Sequence, residues 1–382
     1  MKLAIPKERR PHERRVAATP DTVKKLISLG LDVIVEKDAG LMSSIPDSEY
    51  VSAGAKIAAD AAKLYDGADI IFKVQRPLHA AEGDIDELAL IKPGAILIAI
   101  LSPLSDGGAV DAYAKGNITS FAMEFMPRIT RAQSMDVLSS QSNLAGYRAV
   151  IDAAYEFSRA YPMMMTAAGT VAPAKILVMG CGVAGLQAIA TAKRMGAVVS
   201  ATDVRAAAKE QVESLGGKFV MVESTETGET EGGYAREMSD DYKEKQAALI
   251  AATLAKQDIA ITTALIPGRP APTLITKKMV QSMKPGSVII DLAVESGGNC
   301  ELSQAGKIVL ESGVKIIGHH NVPSRVATDA SALYAKNLLN FITPLMDSEN
   351  KTLNIDWEDE IIIGTLLTKD GAIVNERLTG GK

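Results

Sequence analysis

The stretch KILVMGCGVAGLQAIATAKRMGAVVSATDVR, residues 175–205, decides the fold. Residues 175–179 are an apolar run of strand length, residues 186–195 carry helical spacing, and residues 197–202 return as a second strand. Between the first strand and the helix stands Gly180-x-Gly182-x-x-Gly185. Each glycine has its own task in such a turn. Gly180 permits the tight bend, Gly182 lets a pyrophosphate approach the backbone, and Gly185 lets helix and strand pack closely, so that the helix N-terminus faces the phosphates. The pattern alone is common; the strand before it and the helix after it give it meaning. Asp203 closes the second strand. A carboxylate there accepts hydrogen bonds from the adenosine ribose hydroxyls and repels a 2′-phosphate, which favours NAD(H) over NADP(H); Arg205, two residues on, weakens that exclusion slightly. Cys181 reads as a small packing residue, since no second cysteine is near it in sequence.

The same alternation extends outward on both sides. Residues 2–6 form a short strand ended by Pro6, and residues 7–15 a basic loop. Thr19 caps and Pro20 opens a helix that Gly30 stops, and residues 32–36 return as a strand. Helical pieces at 47–53, from 60, at 87–91 and at 106–115 alternate with strand-like runs at 69–74, 95–101 and 118–122. Beyond residue 205 the pieces are 206–215, 218–222, 240–256, 258–262, 274–283, 287–291 and 314–317. Residues 143–160 and 324–341 read as long helices, and residues 360–367 and 372–375 as a hairpin around Lys369-Asp370-Gly371. This is the pattern of an α/β protein with two Rossmann-like, doubly wound parallel-sheet domains separated by a cleft and joined by long helices. The expected division is residues 1–140 with 324–382, a first domain completed by the C-terminal segment, and residues 141–323, the NAD(H)-binding domain. The terminal piece is too short to fold alone and is expected to pack on the first domain. The two halves share the βαβ pattern without a sequence repeat.

Composition narrows the function. The chain has 382 residues, 47% of them hydrophobic, with 41 Lys and Arg against 46 Asp and Glu for a net charge of −5. A mildly acidic chain of this kind is not built to hold nucleic acid. Cys181 and Cys300 do not make a disulfide scaffold and fit a reducing compartment; with only His12, His79, His319 and His320 beside them, no metal site is expected. No apolar run spans a bilayer, and the N-terminus MKLAIPKERR lacks the apolar region of a signal peptide, so a cytoplasmic chain is expected. A nucleophile elbow and a GKS/T phosphate loop are missing too. Hydride chemistry needs neither, because the nucleotide supplies the chemistry and the protein the orientation.

Three further segments draw attention. Residues 123–143 break the strand–helix rhythm with a dense polar stretch after a buried strand, where such folds bind ligands. Residues 223–241 hold seven acidic residues and one basic residue, Arg236, around Gly232, Gly233 and Tyr234, a composition that suits a lid or a solvated loop. Strand ends at Thr262-Thr263-Ala264-Leu265 and Asp291-Leu292-Ala293, the latter leading into Gly297-Gly298-Asn299, can border the same nucleotide.

The segments IPKERRPHERRVAATP, PRITRAQSMDVLSSQSNLAGYRAV and MGCGVAGLQAIATAKRMGAVVSATDVR closely resemble the soluble NAD(H)-binding component of bacterial proton-translocating NAD(P) transhydrogenases, over essentially the whole chain. In the three-gene bacterial type this component is the separate first portion of the alpha subunit. The Arg-x-x-x-x-Gln-x-x-Asp loop is the specific element of the likeness. The resemblance implies a homodimer that binds NAD(H), docks on a beta subunit that binds NADP(H), and passes hydride directly between the two nicotinamides. It also implies attachment to the cytoplasmic side of the inner membrane, through the beta subunit and a membrane-spanning second portion of the alpha subunit. It assigns catalytic roles to Arg128, Gln133 and Asp136. It places Arg128 on the nicotinamide side, Gln133 where the two rings meet, and Asp136 and Ser139 at the carboxamide, with Ile129 in the same loop. The remaining nucleotide contacts it implies are Gly180, Gly182, Val183, Ala184, Gly185, Asp203, Val204, Arg205, Ala264 and Leu265, and Gly233 and Tyr234 in a loop that closes over the nucleotide.

Alanine dehydrogenases share the IPxE start, an early Arg-Val-Ala and the Rossmann domain, and are the competing resemblance. An amino-acid dehydrogenase needs a cation for the substrate carboxylate and a proton carrier. The related enzymes are expected to place a lysine where this chain has Gln75 and a histidine where it has Ser102. Both substitutes are neutral and carry protons poorly, whereas a transhydrogenase moves only hydride. Arg15 and Lys73 remain, and read as structural charges.

Overall fold

The computed structural model describes residues 1–222, 239–347 and 349–380. The chain divides into two compact units, residues 1–141 with 324–382 and residues 142–323. Each is built on its own sheet.

In the second unit seven strands run in the order Lys218–Phe219, Val198–Thr202, Lys175–Met179, Ile259–Thr262, Val288–Asp291, Val314–Ile317 and Ile308–Glu311. All neighbours are parallel except the last pair. Lys175–Met179 comes first in sequence and lies in the middle, so the strand order reverses beside it. Ile176, Leu177, Val178 and Met179 are essentially inaccessible. Burying one such side chain contributes about 1.5–3 kcal/mol, which explains an unbroken apolar run in a strand covered on both faces. The register levels the strand ends: Met179 lies opposite Thr202 on one side and Thr262 on the other, and Thr262 opposite Asp291. The residues that follow therefore leave the sheet on one rim.

The first unit carries eight strands, ordered Ala372–Ile373, Leu366–Lys369, Thr119–Ala122, Ile96–Ile100, Ile70–Gln75, Lys2–Ile5, Asp32–Glu36 and Lys56–Ala58. The six N-terminal strands are parallel, and the two C-terminal ones add antiparallel at the edge. Here the reversal lies between Lys2–Ile5 and Ile70–Gln75. Thr368 fastens the C-terminal strand by donating to the Ile118 carbonyl at 2.7 Å and meeting the Ser120 hydroxyl at 2.6 Å.

Several elements differ from the sequence reading. The long helix expected over 143–160 is Val137–Glu156, because Asp136 accepts from the Ser139 N–H at 2.9 Å and starts the helix earlier. The helix expected over 324–341 begins as a 3-10 turn, Val322–Val326, before Ala327–Ile342. Residues 360–365 are a helix capped by Asp359, which accepts from Ile361 at 2.7 Å; only 366–369 and 372–373 form the hairpin, with Asp370 and Gly371 both at positive φ. The sequence pattern does not foresee the strands Lys56–Ala58 and Ile308–Glu311 or an exposed ribbon, Met164–Thr166 with Gly169–Val171. All lie at sheet edges or outside the main sheets, where no buried face imposes an apolar pattern.

Candidate functional site

The glycine turn lies at the strand-order reversal of the second unit. Gly180 has φ +99°, and a Cβ there would meet Thr263 Oγ1 at 2.6 Å. Its N–H donates to Thr202 and its carbonyl accepts from Thr263 Oγ1 at 3.0 Å. At Gly185 a Cβ would fall 1.8 Å from the Gly180 carbonyl oxygen, so the helix Val183–Arg194 can sit this close to the strand only with glycine at that position. Gly182 differs: it is the N-cap, and an added Cβ would meet nothing within 4 Å. No side chain caps this helix start. An open cradle bounded by backbone and uncapped N–H groups suits the pyrophosphate of a dinucleotide. From the opposite side Gly146, in the helix Val137–Glu156, packs so closely that a Cβ would meet the Ala184 carbonyl oxygen at 2.0 Å. A glycine inside a helical pattern was the one sequence signal for that crossing.

The neighbouring strand ends complete the rim. Asp203 accepts from the Cys181 N–H at 2.7 Å and from the Arg205 N–H at 2.8 Å, and the Arg205 guanidinium lies 3.0 Å from it. The carboxylate thus ties the glycine turn to its own strand end, with Val204 half-buried between. Ala264 and Asn299 exchange hydrogen bonds at 3.0 and 2.9 Å, and Asn299 also donates to Pro272. Asp291, buried, accepts from the backbone of Ala293, Asn299 and Cys300 and from Thr262 and Ser303. The strand ends 262–265, 291–293 and the 297–299 turn are therefore one hydrogen-bonded piece. Leu265 is left exposed on it, and Val183 is exposed at the start of the helix Val183–Arg194. Cys181 is buried with Sγ against the Thr202 carbonyl, and burial pushes its thiol far up, so it packs the turn. Gly233 and Tyr234 lie outside the described residues.

In the first unit the polar stretch forms two 3-10 turns, Met123–Phe125 and Thr130–Met135, before the helix starts. Ala132 and Met135 anchor the second turn in the core. Arg131 forks onto Asp359 at 2.6 and 2.9 Å. Arg128 and Gln133 are exposed and Ile129 is half-buried. Asp136 and Ser139 hydrogen-bond each other through the helix cap. Gln133 offers its amide outward, and among the described residues that amide has no hydrogen-bond partner.

A second concavity, about 390 Å³, lies at the strand-order reversal of the first unit and is lined by Arg10, Arg15, Gln75, Arg76, Ile100, Ser102, Ser105 and Asp106. The two positions singled out for comparison with dehydrogenases, Gln75 and Ser102, thus share one pocket with Arg15. Every guanidinium in it is paired: Arg15 with Glu13 at 2.6 Å, Arg10 with Glu82 at 3.0 Å, and Arg76 with Glu82 and with Asp106 at 2.8 Å. Gln75 donates to Glu13 at 2.6 Å, and Arg15 reaches Gln141 at 2.8 Å. The Arg15 guanidinium holds the Glu13 carboxyl down to about 2 in spite of burial. Glu124 accepts from the Leu101 and Ser102 N–H groups at the pocket lip, with Ser102 at φ +52°, and burial pushes its carboxyl up to about 7. Behind the pocket Lys73 is buried between Glu87 at 3.1 Å and Glu8 at 3.4 Å, and burial pushes Glu8 up to about 7. The metal-capable grouping found among the described residues, His79, Glu82 and Asp106, is bridged by Arg10 and Arg76, whose charges oppose a cation.

Two family models match most of this chain: the N-terminal domain of alanine dehydrogenase/PNT over residues 4–145 and its C-terminal domain over residues 149–376. The chain belongs to the alanine dehydrogenase/PNT family. Within that family it is 65% identical to the first portion of the NAD(P) transhydrogenase alpha subunit of Rhodospirillum rubrum, over 100% of this chain and 99% of the relative. The crystal structure of a transhydrogenase from Sinorhizobium meliloti superposes with a TM-score of 0.88 at 56% identity, covering 98% of this chain and 100% of that one. An alanine dehydrogenase of Methanococcus maripaludis is more distant, 29% identical over 98% of this chain and 95% of the relative. The α/β fold with two Rossmann-like sheets is thus the family's own. No helix of the described residues is long and apolar enough to cross a membrane.

Proposed function

We propose that this chain is the NAD(H)-binding component of a proton-translocating transhydrogenase. Two features together carry the reading: an open glycine cradle without a side-chain cap in one unit, and in the other an exposed Gln133 amide that has no partner among the described residues. The reading takes the two domains as residues 1–140 with 324–382 and residues 141–323. Gly180, Gly182, Val183, Ala184 and Gly185 receive the pyrophosphate. Asp203, Val204 and Arg205 receive the adenosine ribose, and the Asp203 charge disfavours a 2′-phosphate, so NAD(H) binds here and NADP(H) on the partner. Ala264 and Leu265 border the nucleotide, and on sequence alone Gly233 and Tyr234 join them. Arg128, Ile129, Gln133, Asp136 and Ser139 serve the nicotinamide end. When both nucleotides are bound, a hydride leaves the dihydronicotinamide of one and adds to the nicotinium ring of the other, with two electrons and no separate proton. Arg128, Gln133 and Asp136 therefore have to orient and exclude water and need not titrate.

The reading includes an NADP(H)-binding beta subunit, a membrane-spanning second portion of the alpha subunit that couples transfer to proton movement, attachment on the cytoplasmic face through them, and a homodimer. The ribbon Met164–Thr166 with Gly169–Val171 supports the last: Met163, Met164 and Met165 are exposed, Met165 at 79%. A projecting apolar ribbon of this kind is suited to a second copy. Alanine dehydrogenase activity is disfavoured because Gln75 and Ser102, beside Arg15, are neutral at the two positions where such an enzyme is expected to carry a lysine and a histidine.

The test is reduction of an acetylpyridine analogue of NAD by NADPH, with the chain and an NADP(H)-binding component separately and together. Turnover is expected only when both are present. A mixture without transfer, or turnover of alanine by the chain alone, overturns the reading.

A further inference from the structure

We propose that Asn337 and Asn340 are positioning residues that set the place of Gln133, a role that rests on the transhydrogenase reading. The two stand on successive turns of the helix Ala327–Ile342, and both donate to one atom, the Ser134 carbonyl oxygen, at 2.9 and 3.0 Å. A carbonyl has two lone pairs, and this one has both engaged by side chains. The clamp continues past the turn. Asn337 Oδ1 accepts from Ser140 Oγ at 2.8 Å, and Gln141 donates to that same hydroxyl at 3.2 Å and to the Ala330 carbonyl at 3.1 Å. The chain is thus held by hydrogen bonds just after Gln133, while Ala132 and Met135, on either side of it, root the turn in the core.

What the clamp leaves loose is informative. Gln133 is exposed, and its amide is unpartnered among the described residues. Its Cα–Cβ direction is set by its own backbone, and the carbonyl that Asn337 and Asn340 grip belongs to the very next residue. Asparagine is a poor helix former, and here two occupy a helix interior in place of better ones. Their packing alone does not require an amide. Transfer between two bound rings tolerates little displacement; a shift near 1 Å costs about a hundredfold. A clamp one residue from the aligning side chain is where such a shift is prevented.

The experiment uses the full chain reconstituted with the NADP(H)-binding component. Asn340 is half-buried, so N340A opens little of the core, and N340D keeps the shape while losing the donor. Both variants are expected to slow single-turnover hydride transfer about tenfold, with NADH affinity of the free chain within about twofold of normal and an unchanged thermal midpoint. In a Q133A background N340A should add no further loss, because the residue to be placed is gone. Amide hydrogen exchange at 132–136 should rise in N340A. Normal transfer in N340A overturns the proposal, as does an equal loss with and without Gln133, or a loss of affinity that matches the loss of rate. A wild-type complex without transfer overturns the transhydrogenase reading and this role with it; a transferring wild type with an unaffected variant overturns this role alone.

Discussion

At the carboxyl end of Lys175–Met179 the chain presents glycines and uncapped backbone N–H groups; at the carboxyl ends of Lys2–Ile5 and Ile70–Gln75 it presents guanidiniums and carboxylates. Both are points where a parallel sheet reverses its strand order, the place such folds offer to ligands. The cradle of the second unit is emptied of side chains, so a ligand can supply the charge. The pocket of the first unit is filled with charges that already satisfy one another, Glu13 with Arg15 and Glu82 with Arg10 and Arg76. A strand reversal is therefore a location, and the residues standing there decide whether it binds.

The largest expected effect separates two glycines three residues apart. G185A drives a Cβ into the Gly180 carbonyl oxygen at 1.8 Å and is expected to destabilise the second unit by about 3 kcal/mol. G182A meets nothing within 4 Å and should leave stability within about 0.5 kcal/mol. It should still weaken NADH by tenfold or more, about 1.4 kcal/mol, because the methyl occupies the approach of the pyrophosphate. Calorimetry of the apo chain beside NADH titration reads both. If G182A binds NADH normally, the cradle is not a phosphate site.

The next effect belongs to the ionic reversal alone. Glu124 is raised from 4.5 to about 7, so the native state holds a proton that the unfolded chain releases in that interval. That stabilisation is fully present below pH 4.5 and is lost as the pH rises through 7. Glu13, lowered to about 2, works the other way: its contribution is present above pH 4.5 and is lost as the pH falls through 2. E124Q keeps an acceptor for the Leu101 and Ser102 amides and removes the titration. Relative to wild type it should gain about 2 kcal/mol between pH 4.5 and 7, discounted for a partly exposed carboxyl. The single tryptophan, Trp357, lies in the first unit under Lys369 at 4.6 Å and reports its unfolding. Parallel pH curves for the two proteins would remove Glu124 from the account.

A smaller change tests the choice of nucleotide at the backbone reversal. Asp203 accepts from the Cys181 and Arg205 N–H groups and pairs with the Arg205 guanidinium, and it stands near the expected ribose. D203N should narrow the preference for NADH over NADPH by about five- to tenfold, roughly 1 kcal/mol, chiefly by improving NADPH. Equal affinities already in the wild type would show that this carboxylate serves only the turn.

The fold was legible where a buried face or a backbone constraint writes itself into the sequence. Residues 175–203 are the best case, because Gly180, Gly185 and Gly196 there answer to sterics. The hairpin turn at Asp370-Gly371 was legible for the same reason, with both residues at positive φ. The misread segments have local causes. Residues 360–365 are as aliphatic as a strand, and only the Asp359 cap and the burial of Ile361, Ile362 and Thr365 make them a helix. Ile308 and Leu310 sit on an edge strand with their side chains exposed, so no core explains them in advance. In the candidate site, Gln133 and Arg128 were reached through a resemblance and not through spacing. The clamp of Asn337 and Asn340 on Ser134 spans about two hundred residues of sequence and follows from no local rule. Two asparagines in a helix interior were its only trace.

The smallest expected effect is an absence that tests whether the two reversals truly differ. Arg15 has the right charge for a carboxylate, but Glu13 and Gln141 occupy its guanidinium, and the neighbouring Gln75 and Ser102 cannot carry a proton. The wild-type chain should neither oxidise alanine with NAD nor aminate pyruvate with NADH and ammonium, staying far below the ~1 s⁻¹ of an ordinary enzyme. A Q75K/S102H double variant supplies both missing proton carriers at once. Because Glu13 still holds Arg15, that variant should gain only trace turnover, and the introduced ammonium should instead be drawn into a salt bridge with the same carboxylate. Steady-state assays of both proteins with NAD plus alanine are sufficient. Turnover near 1 s⁻¹ in the double variant would mean that the ion pair yields to a substrate carboxylate. The first unit would then hold a dehydrogenase pocket short of two side chains, and the contrast between a filled reversal and an open one would fail.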